Sequence, residues 1–186
     1  MTQSRLLVDS NSYFRLAKSI HPLLGVVFGD KEYCLHVLPD LEKEYARSAR
    51  LQTKFHWVNE EQYSQNRKHT ITVSQKEKGE VGRTREILDD YKYENLLGVS
   101  PIDINYLAHA YVLNIPVVTD DNDMLELASV FNIQTIKSLK LLALMRAAQH
   151  INIRKVRETV AYWKYEKDTP SNYRQEYKSL FKEIAP

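Results

Sequence analysis

Three aspartates stand where a chain most readily builds chemistry. Asp9 follows the apolar Leu6–Val8 in RLLVDSNS, Asp103 opens a helix in SPIDINYLAHA, and Asp121 lies just past a second apolar run in IPVVTDDND. In an α/β fold the carboxyl ends of parallel strands and the first turns of the helices that follow gather on one rim. Carboxylates brought together there repel one another, and they stay ionised together only if a cation or a basic partner neutralises them. The simplest chemistry for such a rim is a Mg²⁺ or Mn²⁺ site working on phosphate. Phosphodiester hydrolysis at neutral pH needs a water made nucleophilic and charge neutralised on the phosphate, and hard cations held by carboxylate oxygens supply both.

Each acid also has a purely structural explanation. Asp9 and Asp120 sit where helix N-caps belong, and Asp103 and Asp123 fall near the third helical position, where an acid completes a capping box and suits the helix dipole. Glu44 lies on a charge-rich helix, where solvation would account for it. What favours a shared site is convergence, since separate strand ends and helix starts each offer an acid beside apolar surface. Other chemistries lack their residues. The six histidines, His21, His36, His56, His69, His109 and His150, form no zinc-like interval. Gly79–Gly82 lacks the Lys-Ser/Thr of a phosphate loop and reads as a turn.

Strands and helices must bring the acids together. Leu6–Val8 reads as a short inner strand and residues 10–20 as a helix capped by Asp9 or Ser10. The stretch LLGVVFGDKEYCLHVLP is either a hairpin around Gly29-Asp30 or a single parallel strand at Tyr33–Leu38. A helix is expected from Asp40 to about Phe55. Residues 56–98 are polar and read as helices around a mobile connection, broken at Gly79 and Gly82. Ser100-Pro101-Ile102-Asp103 is an N-cap, a first-turn proline and an acid, opening a helix to about Leu113. A strand at Ile115–Val118, a helix at 122–131 and a weak strand at Gln134–Ile136 follow. From about Leu139 the chain is helical, broken near Asn152 and Pro170. Short buried strands alternating with helices predict a three-layer α/β/α fold with a short parallel central sheet.

This pattern resembles the PIN-domain nucleases. The likeness covers roughly residues 5–136 and rests on Asp9 in VDSNS, Glu44 in LPDLEKEY, Asp103 in IDINYLAHA, and Thr119-Asp120-Asp121-Asn122-Asp123 as a T-x-D-x-D after the I-P-V-V strand. Asp103 to Asp123 fits most closely; Glu44 competes with Glu42. The resemblance implies a PIN-like domain over 1–137, with residues 56–98 as an insertion, and a C-terminal helical extension over 138–186 that packs on it or forms an interface. It also implies a metal-dependent endoribonuclease using Mg²⁺ or Mn²⁺. Asp9 and Asp121 would be the core ligands and Asp103 would complete the site. Glu44 would bind a second ion or orient water, and Asp123 would be a further ligand or stand behind the others. Ser10, Asn11 and Thr119 would support ligands or phosphate. RNA is the implied substrate. A cognate antitoxin, another protein partner or a second copy of the chain are the partners this class allows.

The remaining features are less decisive. Basic residues Arg47, Arg50, Lys54, Arg67, Lys68, Lys76, Lys78, Arg83 and Arg85 run through the middle of the chain; Arg47, Arg50, Lys54, Arg83 and Arg85 are the candidates for an RNA backbone, against the ordinary reading of a solvated helical face. The chain of 186 residues is long enough for one domain with a real core, and a net charge of +2 does not by itself announce a nucleic-acid binder. Cys34 is the only cysteine, so no internal disulfide forms. With no signal-peptide layout and no apolar run of transmembrane length, a cytoplasmic protein without a membrane partner is expected. The apolar run from Leu139 to Met145 reads as core, or as a dimer or partner-helix surface, and Trp163 is expected to pack into the body. Three other functions compete. A catalytically inactive PIN-like scaffold that binds RNA or protein is the first. A phosphoacceptor domain would want a lysine after a late strand, for which Lys137 is weak, and an acidic pair at strand one. An aspartate-nucleophile phosphatase would want an acid where Asn11 stands.

Overall fold

The computed structural model describes residues 3–186. Its centre is a five-stranded sheet in the order β2-β3-β1-β4-β5, built from β1 (Ser4–Val8), β2 (Val27–Phe28), β3 (Tyr33–His36), β4 (Val117–Val118) and β5 (Thr135–Ile136). β1 pairs in parallel with β3 and β4, and β4 with β5. Only β2 is antiparallel, pairing with β3. Of the two readings of the ambiguous stretch the hairpin is the one formed, and its second strand, Tyr33–His36 and not Tyr33–Leu38, also joins the parallel sheet. Gly29 makes the turn with φ +70°, a conformation glycine adopts without a Cβ penalty.

β1 shows how the sheet divides the molecule. Leu6 and Val8 enter one hydrophobic core and Leu7 the other, as the two-residue alternation of a strand requires. Helices α5 (Gln75–Glu94), α6 (Pro101–Leu113) and α7 (Asn122–Val130) supply the core containing Leu7. The core on the Leu6 face is shared by α1 (Ser10–Leu16), α2 (Asp40–Arg47), α8 (Ser138–Ala147), α9 (Ile153–Tyr165) and α10 (Tyr173–Phe181), among others. The result is an α/β architecture compatible with three layers. Leu139, Leu141, Leu142, Met145, Val156, Val160, Trp163, Tyr177 and Phe181 are all buried with the sheet residues Leu6 and Val8. The C-terminal extension is thus part of a core, and the run from Leu139 to Met145 places Leu139, Leu141, Leu142 and Met145 inside the molecule, with Ala143 and Leu144 half-buried. No helix of the described residues is long and apolar enough to cross a membrane.

Two expectations about the middle of the chain need correction. The helix from Asp40 does not run through to Phe55. It stops at Arg47; Ser48 is extended, its hydroxyl accepts from Leu51 N at 3.2 Å, and α3 (Ala49–Lys54) starts afresh. A serine able to satisfy a free helix N–H competes with continuation of the helix, which is why the break falls there. A 3₁₀ turn (His56–Asn59) and α4 (Glu61–Asn66) follow. Second, Gly79 and Gly82 do not break the chain. Both lie inside α5, which runs unbroken for 20 residues from a Ser74–Glu77 capping box. Val81 and Leu88, seven residues apart, lie on one helical face and are buried against the α6 core, and that burial outweighs the roughly 1 kcal/mol that each helical glycine costs. A Cβ at Gly82 would meet nothing within 4 Å, and at Gly79 only an arginine tip at 3.9 Å. The double variant Gly79→Ala/Gly82→Ala is therefore expected to gain about 1–2 kcal/mol. Urea unfolding checks it: the midpoint should rise at constant slope, and an unchanged midpoint would contradict a continuous exposed helix.

Candidate functional site

The segments leaving the parallel strands β1 and β4 carry Asp9 and Asp121, and α6 carries Asp103. Asp9 follows β1 and caps α1, its Oδ1 accepting from Ser12 N at 2.6 Å. Asp121 follows β4 and caps α7, its Oδ1 accepting from Met124 N at 2.9 Å. Asp103 is the third residue of α6 and closes a reciprocal box with Ser100, whose hydroxyl donates to Asp103 Oδ2 at 2.7 Å while Ser100 Oγ accepts from Asp103 N at 3.2 Å. The structural explanation holds for Asp9 and Asp103, while the cap after β4 is Asp121 and not the expected Asp120; a structural role does not exclude the other one. Each cap uses one carboxylate oxygen. Asp9 Oδ2 is buried with no hydrogen-bond partner, and Asp103 Oδ1 and Asp121 Oδ2 take no partner among the described residues.

Charge couples the acids. Asp9 is 1 % exposed, and burial pushes its pKa up to about 7; the Ser12 and Thr119 groups beside it pull the other way, and the Asp103 charge raises it further. Burial raises Asp103 above the usual carboxylate range, its Ser100 bonds oppose this, and Asp121 adds repulsion. Glu44 is raised by burial and by Asp103, against a lowering from Ser10. Asp9, Glu44, Asp103 and Asp121 thus act on one another through Asp103. Glu42, the competing choice, points elsewhere: it accepts from buried Arg67 Nε at 2.6 Å. That pair also removes Arg67 from the basic surface.

The supporting residues divide. Thr119 is fully buried; its hydroxyl accepts from Asp121 N at 3.2 Å, so it orients the Asp121 turn. Ser10 Oγ is buried and completes no hydrogen bond of good geometry, though it lies close enough to Glu44 and Tyr106 to favour their ionised forms. Asn11 is exposed at the rim. Asp123 is bonded to the backbone: its Oδ2 accepts from Gly98 N at 2.9 Å, and a Cβ on Gly98 would stand 2.5 Å from that oxygen. The structure gives Asp123 the task of tying the α5–α6 connection to α7. Among the basic candidates, Arg47, Arg50, Arg83 and Arg85 are exposed, and Arg85 lies near enough to act on His109, on the helix that Asp103 opens. Lys54 is already engaged, 3.8 Å from Asp168 and over the Phe55 ring.

Two groups were not foreseen from the sequence. Tyr106 is fully buried one turn after Asp103; its hydroxyl accepts from Leu38 N at 3.4 Å and feels the charges of Asp9 and Glu44. Its spacing of three from Asp103 places it on the same helical face, a signal available in the sequence. Asp120, expected to cap the helix at 122–131, is the other in its actual role, since Asp121 holds that cap. Its Oδ1 accepts from Ser138 N at 3.1 Å and its Oδ2 from Arg15 Nη1 at 2.5 Å, which makes it structural.

In kind, the donors fit a hard divalent cation: carboxylate oxygens, one of them buried and orphaned. In position they are not drawn together; among the described residues no three Asp, Glu, His or Cys side chains lie close enough to hold one ion as they stand. No family model matches the chain, and no curated protein matches it.

Proposed function

We propose that the chain is a metal-dependent nuclease that hydrolyses RNA phosphodiester bonds at the rim formed by Asp9, Glu44, Asp103 and Asp121. The observation that carries this reading is the set of three helix-capping carboxylates, each with one oxygen left without a protein partner, that of Asp9 being buried. A buried, unpaired carboxylate oxygen is costly until a proton or a cation neutralises it, and at neutral pH a divalent cation would do so. Asp9, Asp103 and Asp121 would hold Mg²⁺ or Mn²⁺; when bound, the ion would neutralise phosphate charge and make a water more acidic. Glu44, raised above its ordinary range, suits the task of taking a proton from the attacking water as the phosphorus–oxygen bond to the leaving nucleotide breaks. Thr119 fixes the turn that carries Asp121. Exposed Arg47, Arg50, Arg83 and Arg85 are the groups available to an RNA backbone.

A second reading, a scaffold without catalysis, is favoured by the separation of the acids. One experiment decides between them. Purified protein is incubated with mixed single-stranded RNA in Mn²⁺ or Mg²⁺, against EDTA and against Asp121→Asn. The nuclease reading expects cleavage that stops in EDTA and falls by about a hundredfold or more in the variant. No cleavage, with no Mn²⁺ binding by calorimetry, establishes the scaffold.

A further inference from the structure

Beside Asp121 lies an open cleft of ≈ 320 Å³ whose far wall is the connection between α9 and α10, residues 168–171. This wall belongs to the C-terminal extension, and it is fixed in place by a side chain from the first helix. Arg15, buried in α1, donates from Nε to the Asp168 carbonyl at 3.0 Å and from Nη1 to Asp120 Oδ2 at 2.5 Å. Lys54 stands 3.8 Å from the Asp168 carboxylate. Arg15 and Lys54 therefore neutralise Asp120 and Asp168 within the wall itself. What remains for a ligand is mostly uncharged. Asn11 and Asn122 on one side, Thr169 and Ser171 on the other, make no side-chain hydrogen bond among the described residues.

We infer that this cleft is the subsite for the sugar and base edge of the nucleotide flanking the scissile phosphate, with Thr169 and Ser171 as residues that bind it and Arg15 as the residue that positions them. The inference rests on the nuclease reading of the adjacent rim. The chemistry selects the occupant. A phosphate would meet Asp121 and find no unspent cation in the cleft, so the negative backbone is disfavoured here. Amides and hydroxyls match the ribose hydroxyls and the polar edges of an unpaired base, groups that proteins read on single-stranded RNA. The volume lies at the low end for small-ligand sites, which suits one nucleoside and no more. The C-terminal helices thereby acquire a second role besides filling the core: their connection sets what can lie next to the cut.

The test is the double variant Thr169→Val/Ser171→Ala, which removes two hydroxyls with little change of shape. Cleavage of a short single-stranded RNA is measured in Mn²⁺, and affinity for the same RNA by fluorescence anisotropy in Ca²⁺. KM and the dissociation constant are expected to rise about tenfold, the loss of two neutral hydrogen bonds, with kcat within about threefold of the wild type. Unchanged KM and affinity in a variant with wild-type thermal unfolding would overturn the inference. A wild type that binds RNA without cutting it defeats the nuclease reading alone, and the affinity ratio then decides the cleft. A wild type that does not bind RNA defeats both.

Discussion

Replacing Asp9 with asparagine is expected to make the metal-free protein more stable at pH 8 while abolishing cleavage. In the fold, burial lifts the Asp9 pKa from 3.8 to about 7. The folded state thus prefers the protonated acid, and above pH 7 it carries a buried charge that the unfolded chain holds in water. The stability linked to this group is fully present below about pH 4, the unfolded value, and is lost as pH rises through 7. The shift of about 3 units corresponds to a penalty on the order of 4 kcal/mol at pH 8. Asparagine keeps an oxygen for Ser12 N and carries no charge, so it should recover part of that energy and flatten the pH dependence. For a chain of this length the gain is read as a rise in melting temperature of up to roughly 10 °C at pH 8, vanishing near pH 4. Mn²⁺ should stabilise the wild type at pH 8 and leave Asp9→Asn where it was, since only a carboxylate offers the ion a charged oxygen. Equal melting temperatures for the two proteins across the pH range, or cleavage retained by the variant, would show that Asp9 is an ordinary helix cap.

What the sequence disclosed and what it hid follow from the range of the interactions. Ser100-Pro101-Ile102-Asp103 could be read directly because a capping box closes within four residues. The strand ends at Asp9 and Asp121 were visible because a buried strand followed by a cap is a local pattern. Choices of one or two positions were not. Glu44 is distinguished from Glu42 by Arg67, which lies 25 residues beyond the latter and draws it away. Asp120 and Asp121 are distinguished by Arg15 and Ser138, on α1 and at the start of α8. Nor did polarity and two glycines reveal α5, because its reason for existing, Val81 and Leu88 against α6, is tertiary. The wall at residues 168–171 was the least accessible feature. It is joined to the site by Arg15 across 153 positions of sequence, and no local pattern announces such a bond.

That same arginine carries a large expected effect on stability. Arg15 and Asp120 have side chains 10 % and 6 % exposed, and Arg15 also holds the Asp168 carbonyl. Removing one partner of a buried ion pair leaves the other charge without compensation, at a cost of about 3–5 kcal/mol. Arg15→Met should therefore lose about this much in urea unfolding, a large share of a typical folding free energy. The loss is predicted to come mainly from the abandoned Asp120 charge, so Arg15→Met/Asp120→Asn should regain much of it. Asparagine at position 120 still accepts from Ser138 N, which preserves the start of α8 while removing the charge. A double variant no more stable than Arg15→Met would place the energy in the arginine's hold on residues 168–171. The two outcomes also separate in function. The restored double variant has a charge-balanced interior and a wall without its anchor, so its folding should recover further than its affinity for RNA. A parallel recovery of both would mean that Arg15 serves the fold alone.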